Sequence, residues 1–142
     1  MNADQMYTEI ILSHNKSGHN KREVPLLTVV ERGHNPNCGD DLTLQLRVEE
    51  GTIVDAGFLG SGCAISQSSM SIMIDLVKGR PVDWALALVD DFFLYVHGEA
   101  ISPEALERLE DAQAFGGLSK MPARIKCGTL GWHCLKTSLN RC

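Results

Sequence analysis

The sequence predicts an α+β fold, an antiparallel sheet followed by several helices, on three observations. Residues 42–49 read Leu-Thr-Leu-Gln-Leu-Arg-Val-Glu, a strict apolar–polar alternation that marks a half-buried strand. Glu50-Gly51 then separates this run from a second alternation at Val54, Ala56 and Phe58, so the pair reads as a hairpin with one buried side. From residue 65 onward the apolar residues recur at intervals of three and four, the period of a helix.

Taken in order, the chain opens with an amphipathic helix that places Met6, Tyr7, Ile10, Ile11 and His14 on one face, with Asn2 or Asp4 as N-cap. The polar stretch Ser13 to Glu23 contains Gly18 and reads as a loop. Leu26 to Glu31 forms a first strand, which makes the sheet three-stranded and ends where Gly33, Asn35 and Pro36 impose a turn. After Gly60-Ser61-Gly62, a helix carries Ile65, Ser69, Ile72, Met73, Leu76 and Val77 as far as Gly79, with Cys63 at its start. A second long helix runs from Val82 to His97 behind Pro81, and another begins at Ser102-Pro103-Glu104. The last covers Lys120 to about Leu139, with Pro122 tolerated near its start. No internal repeat or low-complexity tract interrupts this order, so residues 1–142 are expected to form a single domain.

Composition narrows the function. With 13 basic and 18 acidic residues the net charge is −5, which offers no field to attract nucleic acid or an anionic membrane. The N-terminus lacks the basic and apolar segments of a secretion signal, and no apolar run is long enough to span a bilayer, so a cytoplasmic location is expected. Five cysteines, at 38, 63, 127, 134 and 142, form an odd count in such a chain. Reduced thiols are then expected, as packing, metal ligands or nucleophiles, rather than structural disulfides.

Three of the cysteines have informative surroundings. Asn35-Pro36-Asn37-Cys38-Gly39-Asp40-Asp41 sets a thiol and a carboxylate two residues apart across a glycine that allows both to face one point. Cys63 opens a helix behind a Gly-Ser-Gly turn, where free amides and the helix dipole favour a thiolate. Cys127 follows Arg124 and Lys126, two cations that would favour its thiolate as well. Cys38, Asp40, Cys63 and Cys127 make a four-ligand set suited to Zn(II), and equally to a transient iron–sulfur cluster whose iron tolerates one unlike ligand. The carboxylate is a harder ligand than the thiolates and easier to displace, which suggests handling rather than scaffolding. His34 is an alternative ligand beside the first motif, while His14, His19, His97 and His133 read as surface or core residues. Cys134 falls two turns beyond Cys127 and reads as packing, and Cys142 as an oxidation-prone terminal thiol.

These motifs together resemble the IscU-like proteins, and within them the SufU branch. The resemblance runs through Met6-Tyr7 to His14, Asn-Pro-Asn-Cys-Gly-Asp at 35–40, Gly-Cys-Ala-Ile-Ser-Gln at 62–67 and Arg-Ile-Lys-Cys-Gly-Thr-Leu at 124–130. Lys126, where the scaffolds typically carry histidine, and a lengthened span from Cys63 to Cys127 are similar to SufU rather than to the IscU scaffolds. The resemblance implies that Cys38, Asp40, Cys63 and Cys127 are zinc ligands and that Cys38 accepts sulfur. The donor would be a pyridoxal-phosphate cysteine desulfurase of the SufS type, and the recipient a downstream iron–sulfur scaffold. Arg124 and Lys126 would support charge during the transfer. A scaffold that builds a transient [2Fe–2S] cluster on the same ligands is the alternative, and a non-catalytic zinc module is a third reading.

Overall fold

The computed structural model describes residues 3–142 and the side chains of residues 9–142. The predicted N-cap at Asn2 or Asp4 and the face assigned to Met6 and Tyr7 lie outside these described side chains.

Helix α1, Ala3–Ser17, leads into a three-stranded antiparallel sheet of β1 (Val29–Asn35), β2 (Asp40–Glu49) and β3 (Thr52–Ser61) in the order β1-β2-β3. Helices α2 (Ala64–Val77), α3 (Val82–Val96) and α4 (Pro103–Leu109) follow, then a 3₁₀ segment over Glu110–Lys120 and α5, Pro122–Asn140. The expected α+β architecture is therefore present. One face of the sheet is covered by α5, lying over β1 and β2, and by α2 against β3.

The alternation of β2 does what its period dictates, since Leu42, Leu44 and Leu46 are wholly buried. In β3 the phase differs from expectation. The register shifts between Arg47 and Val48, which pair with Asp55 and Ile53, leaving Val54 as an unpaired extra residue. This bulge turns Val54 outward, 39% exposed, and buries Ile53 in its stead. At the hairpin Glu50 and Gly51 both adopt positive φ, 49° and 76°, the backbone of a two-residue turn matched to strand twist.

Two boundaries also move, and one element is new. α1 continues through Ser17, so the loop read from Ser13 begins only at Gly18. β1 is displaced towards the C-terminus, from the predicted 26–31 to Val29–Asn35, because it must pair with a β2 that begins at Asp40. The 3₁₀ stretch has no counterpart in the sequence reading. It buries Ala112, Phe115 and Leu118 at threefold spacing and, with α4, fills the space between α3 and α5.

The core gathers around α2, whose residues Ser68–Ile74 are all buried. Its serines avoid the cost of burial by bonding to backbone. Ser69 Oγ donates to the Gly128 carbonyl at 2.6 Å and Ser71 Oγ to that of His19 at 2.9 Å. Trp132 of α5 stacks on Phe92 of α3, ring centroids 3.9 Å apart, and its indole N–H donates to Ser69 Oγ at 2.9 Å. These contacts lock α5 to α2 and so fix where Cys127 sits. Among the described residues no helix is long and apolar enough to cross a membrane.

Candidate metal centre

Four segments converge at one end of the sheet. Asn35 pairs with Asp40, which leaves four residues, Pro36 to Gly39, to connect β1 and β2. The Cys38 amide donates to the Asn35 carbonyl at 3.2 Å, and Gly39 takes φ 71°, turning the chain back into β2. Cys38 is thereby held at the tip, half-buried.

Asp40 is the first residue of β2, and the period of two puts it in phase with Leu42, Leu44 and Leu46. The strand consequently carries a carboxylate onto the buried face, where it is 0% exposed. Asp41 takes the opposite face. There it pairs with Arg32 at 2.7 Å, and that guanidinium holds its carboxyl below the usual range.

Cys63 is the N-cap of α2, one position before the helix proper. Its Sγ accepts from the Ser66 amide at 3.4 Å, where an oxygen serves in an ordinary cap. Its own amide donates to Asp40 Oδ1 at 2.9 Å, and the Ser66 hydroxyl is also 2.9 Å from that oxygen. Asp40 Oδ2 is buried with no hydrogen-bond partner. A Cβ added to Gly62 would stand 2.7 Å from Asp40 Oδ1 and 2.5 Å from Ser66 Oγ, so only glycine lets these groups close on one another.

Cys127 enters from α5, fully buried, and donates to Cys38 Sγ at 3.0 Å. Asn35 Nδ2 stands 3.9 Å from the Cys127 sulfur. Ligand atoms of Cys38, Asp40 and Cys127 lie within 4.8 Å of one another. Three of the four predicted ligands are thus brought together. The Cys63 thiol stays outside that group, tied to the same carboxylate through its backbone.

The sequence reading of Cys127 needs one correction. Arg124 and Lys126 are exposed on α5, while the Cys127 thiol is pushed up by burial, then by the hydrogen bond to Cys38 and the negative charge of Cys63 and Asp40. The donor set fits a thiophilic divalent cation on one observation above all, a buried carboxylate beside two thiols that has one oxygen, Oδ2, without a hydrogen-bond partner. A buried carboxylate oxygen without a donor costs roughly 1–3 kcal/mol, and coordination removes that cost.

The remaining candidates stand apart. His34 is exposed, opposite Asp41 in the ladder, and outside the convergent group. Cys134 is 4% exposed and lies under β1, with its sulfur 2.6 Å from the position of a Cβ on Gly33. Cys142 is exposed. Sequence reasoning missed Ser66 and Asn35. The signal for Ser66 was its place three residues after a cap, where a side chain reaches back across the first turn.

A family model described as NifU-like N terminal domain matches residues 6–141. The chain is 36% identical to a Streptococcus pyogenes serotype M1 protein named iron-sulfur cluster assembly scaffold protein IscU, over 97% of this chain and 85% of that one. It is also 36% identical to a Bacillus subtilis strain 168 protein named zinc-dependent sulfurtransferase SufU, over 95% of this chain and 90% of that one. A crystal structure from Fervidobacterium islandicum AW-1, described as an iron-sulfur cluster assembly scaffold protein for the SUF system, superposes with a TM-score of 0.85. That similarity has 30% identity and covers 97% of this chain and 99% of that one.

Proposed function

Because the chain belongs to the family of the NifU-like N-terminal domain, whose IscU and SufU members assemble iron–sulfur clusters, we propose that it is a zinc-dependent sulfurtransferase. In this reading residues 1–142 act as one domain in the cytoplasm, and the sulfur comes from a cysteine desulfurase. The observation that carries it is the convergence of Cys38, Asp40 and Cys127 around a partnerless carboxylate oxygen, with Cys38 on a turn at the margin. A fixed structural site would not need one ligand on a half-buried turn at its margin.

Cys38, Asp40 and Cys127 would hold zinc, and Cys63 would join them by releasing the Ser66 amide. Zinc bound there supplies thiolates at neutral pH and masks them from stray oxidants. The chemical step is thiol–disulfide exchange. The Cys38 thiolate attacks the outer sulfur of the donor's persulfide, a sulfur–sulfur bond forms on Cys38, and the donor cysteine leaves as a thiolate. The terminal sulfur keeps its proton and no external oxidant or reductant is consumed. In this reading Arg124 and Lys126, exposed on the helix that carries Cys127, would support charge during the transfer.

The name of the Streptococcus pyogenes relative favours the second reading, a scaffold for a transient [2Fe–2S] cluster on the same residues. Anaerobic purification with metal analysis separates the two, since about one zinc per chain is expected and stoichiometric iron with visible absorption supports the scaffold. Incubation with a cysteine desulfurase and cysteine should add one sulfur to the Cys38 peptide by mass spectrometry. Stimulation of cysteine turnover that survives in Cys38→Ser would remove Cys38 from the acceptor role.

A further inference from the structure

Asp40 is served unequally by its surroundings. Oδ1 receives the Cys63 amide and is 2.9 Å from Ser66 Oγ, whereas Oδ2 receives nothing although the residue is 0% exposed. Such asymmetry in a buried carboxylate is costly unless the bare oxygen has another use.

The hydroxyl proton of Ser66 has a choice of acceptors, Asp40 Oδ1 at 2.9 Å and the Cys63 carbonyl at 3.1 Å. A carboxylate oxygen is the stronger acceptor of the two. Ser66 is itself 0% exposed, so no water competes for that proton. Gly62 completes the arrangement, because any larger residue would press on both Ser66 Oγ and Asp40 Oδ1.

We propose that Ser66 is a positioning residue of the metal site: its hydroxyl engages Asp40 Oδ1 and leaves Oδ2 as the single oxygen presented to zinc. The inference rests on the zinc reading above and adds to it a residue that touches no metal. One-oxygen ligation has a consequence for function. A carboxylate held by one fixed oxygen would take a single position on a bound metal, whereas a carboxylate free to turn could offer both oxygens.

The test is a double-mutant cycle on the full chain, using zinc affinity by chelator competition and the visible spectrum of the cobalt(II)-loaded protein. Ser66→Ala should weaken zinc about 10- to 100-fold, the usual cost of losing a hydrogen bond to a metal ligand. It should also weaken the cobalt bands, as tetrahedral ligation gives way to a higher coordination number. In an Asp40→Ala background the same Ser66→Ala change should have no further effect on zinc, because the hydroxyl acts only through the carboxylate. Thermal melts of the metal-free variants identify any loss of fold, and Ser66→Thr, which keeps the hydroxyl, should restore the cobalt spectrum. Equal losses from Ser66→Ala with and without Asp40 would overturn the proposal and leave Ser66 a packing residue. Zinc affinity unchanged by Asp40→Ala would instead remove Asp40 from the ligand set, and with it the reading on which the inference stands.

Discussion

Helix α5 carries two buried cysteines seven residues apart, on nearly one face and roughly 10 Å from each other. Both are deprived of solvent, and burial raises both thiols, that of Cys134 to about 11. Cys134 fits under Gly33, where the missing side chain of the strand makes room for its sulfur. Cys127 meets Cys38 and Asp40 at the end of the sheet, beside a carboxylate with one unpartnered oxygen. Burial and helical phase are nearly the same for the two. What distinguishes them is whether the neighbouring segment brings a glycine or a polar donor set.

The largest effect expected from this contrast is on metal content. Cys127→Ser should abolish stoichiometric zinc while Cys134→Ala retains it, as read by metal analysis after purification. Zinc loss in both variants would erase the distinction drawn between the two ends of α5.

Gly33→Ala should act at the other end and cost about 1–3 kcal/mol in a denaturant melt, because its new methyl would stand 2.6 Å from the Cys134 sulfur. Adding Cys134→Ala should recover most of that loss while leaving zinc content unchanged. An absence of rescue would place the strain on Leu130, whose Cγ would stand 3.0 Å from the same methyl.

The smallest effect is a slope against pH in the metal-free chain. The Cys134 thiol is raised in the folded state, so between the unfolded value near 8.5–9 and the folded value of about 11 the native chain holds a proton that the unfolded chain has lost. Stability should accordingly fall as pH rises through this window, and Cys134→Ala should flatten its share of the fall. Melts at intervals of pH check the sign, and a steeper slope in the variant would contradict it.

Much of this architecture is legible in periodicity. The Leu42, Leu44, Leu46 alternation and the three- and four-residue spacing after Ile65 identify the sheet and its principal helix. Periodicity failed at Val54, where a bulge reversed the phase through a change of register that single-strand patterns do not encode. It failed also over Glu110–Lys120, whose threefold repeat is tighter than a helical stripe and is interrupted by two glycines. The convergence of Cys38, Asp40 and Cys127 follows motifs visible in the chain, yet the burial of Asp40 was one step further. Extending the β2 alternation back by two residues would have placed it on the inner face. The cations near Cys127 misled because sequence adjacency ignores which side of α5 faces the core.

The four-residue turn that carries Cys38 also limits travel. Strand pairing holds it at both ends, Asn35 on one side and Asp40 on the other. Four residues have a contour of roughly 14 Å, so even a fully released loop would lift its tip by about half that length. An acceptor on so short an arm would not go out to fetch its cargo. In any handover at Cys38 the greater part of the distance must be crossed by the giver and later by the receiver, each with a segment long and loose enough to enter. The fold would then serve as a fixed post in a relay, with the moving parts belonging to its neighbours.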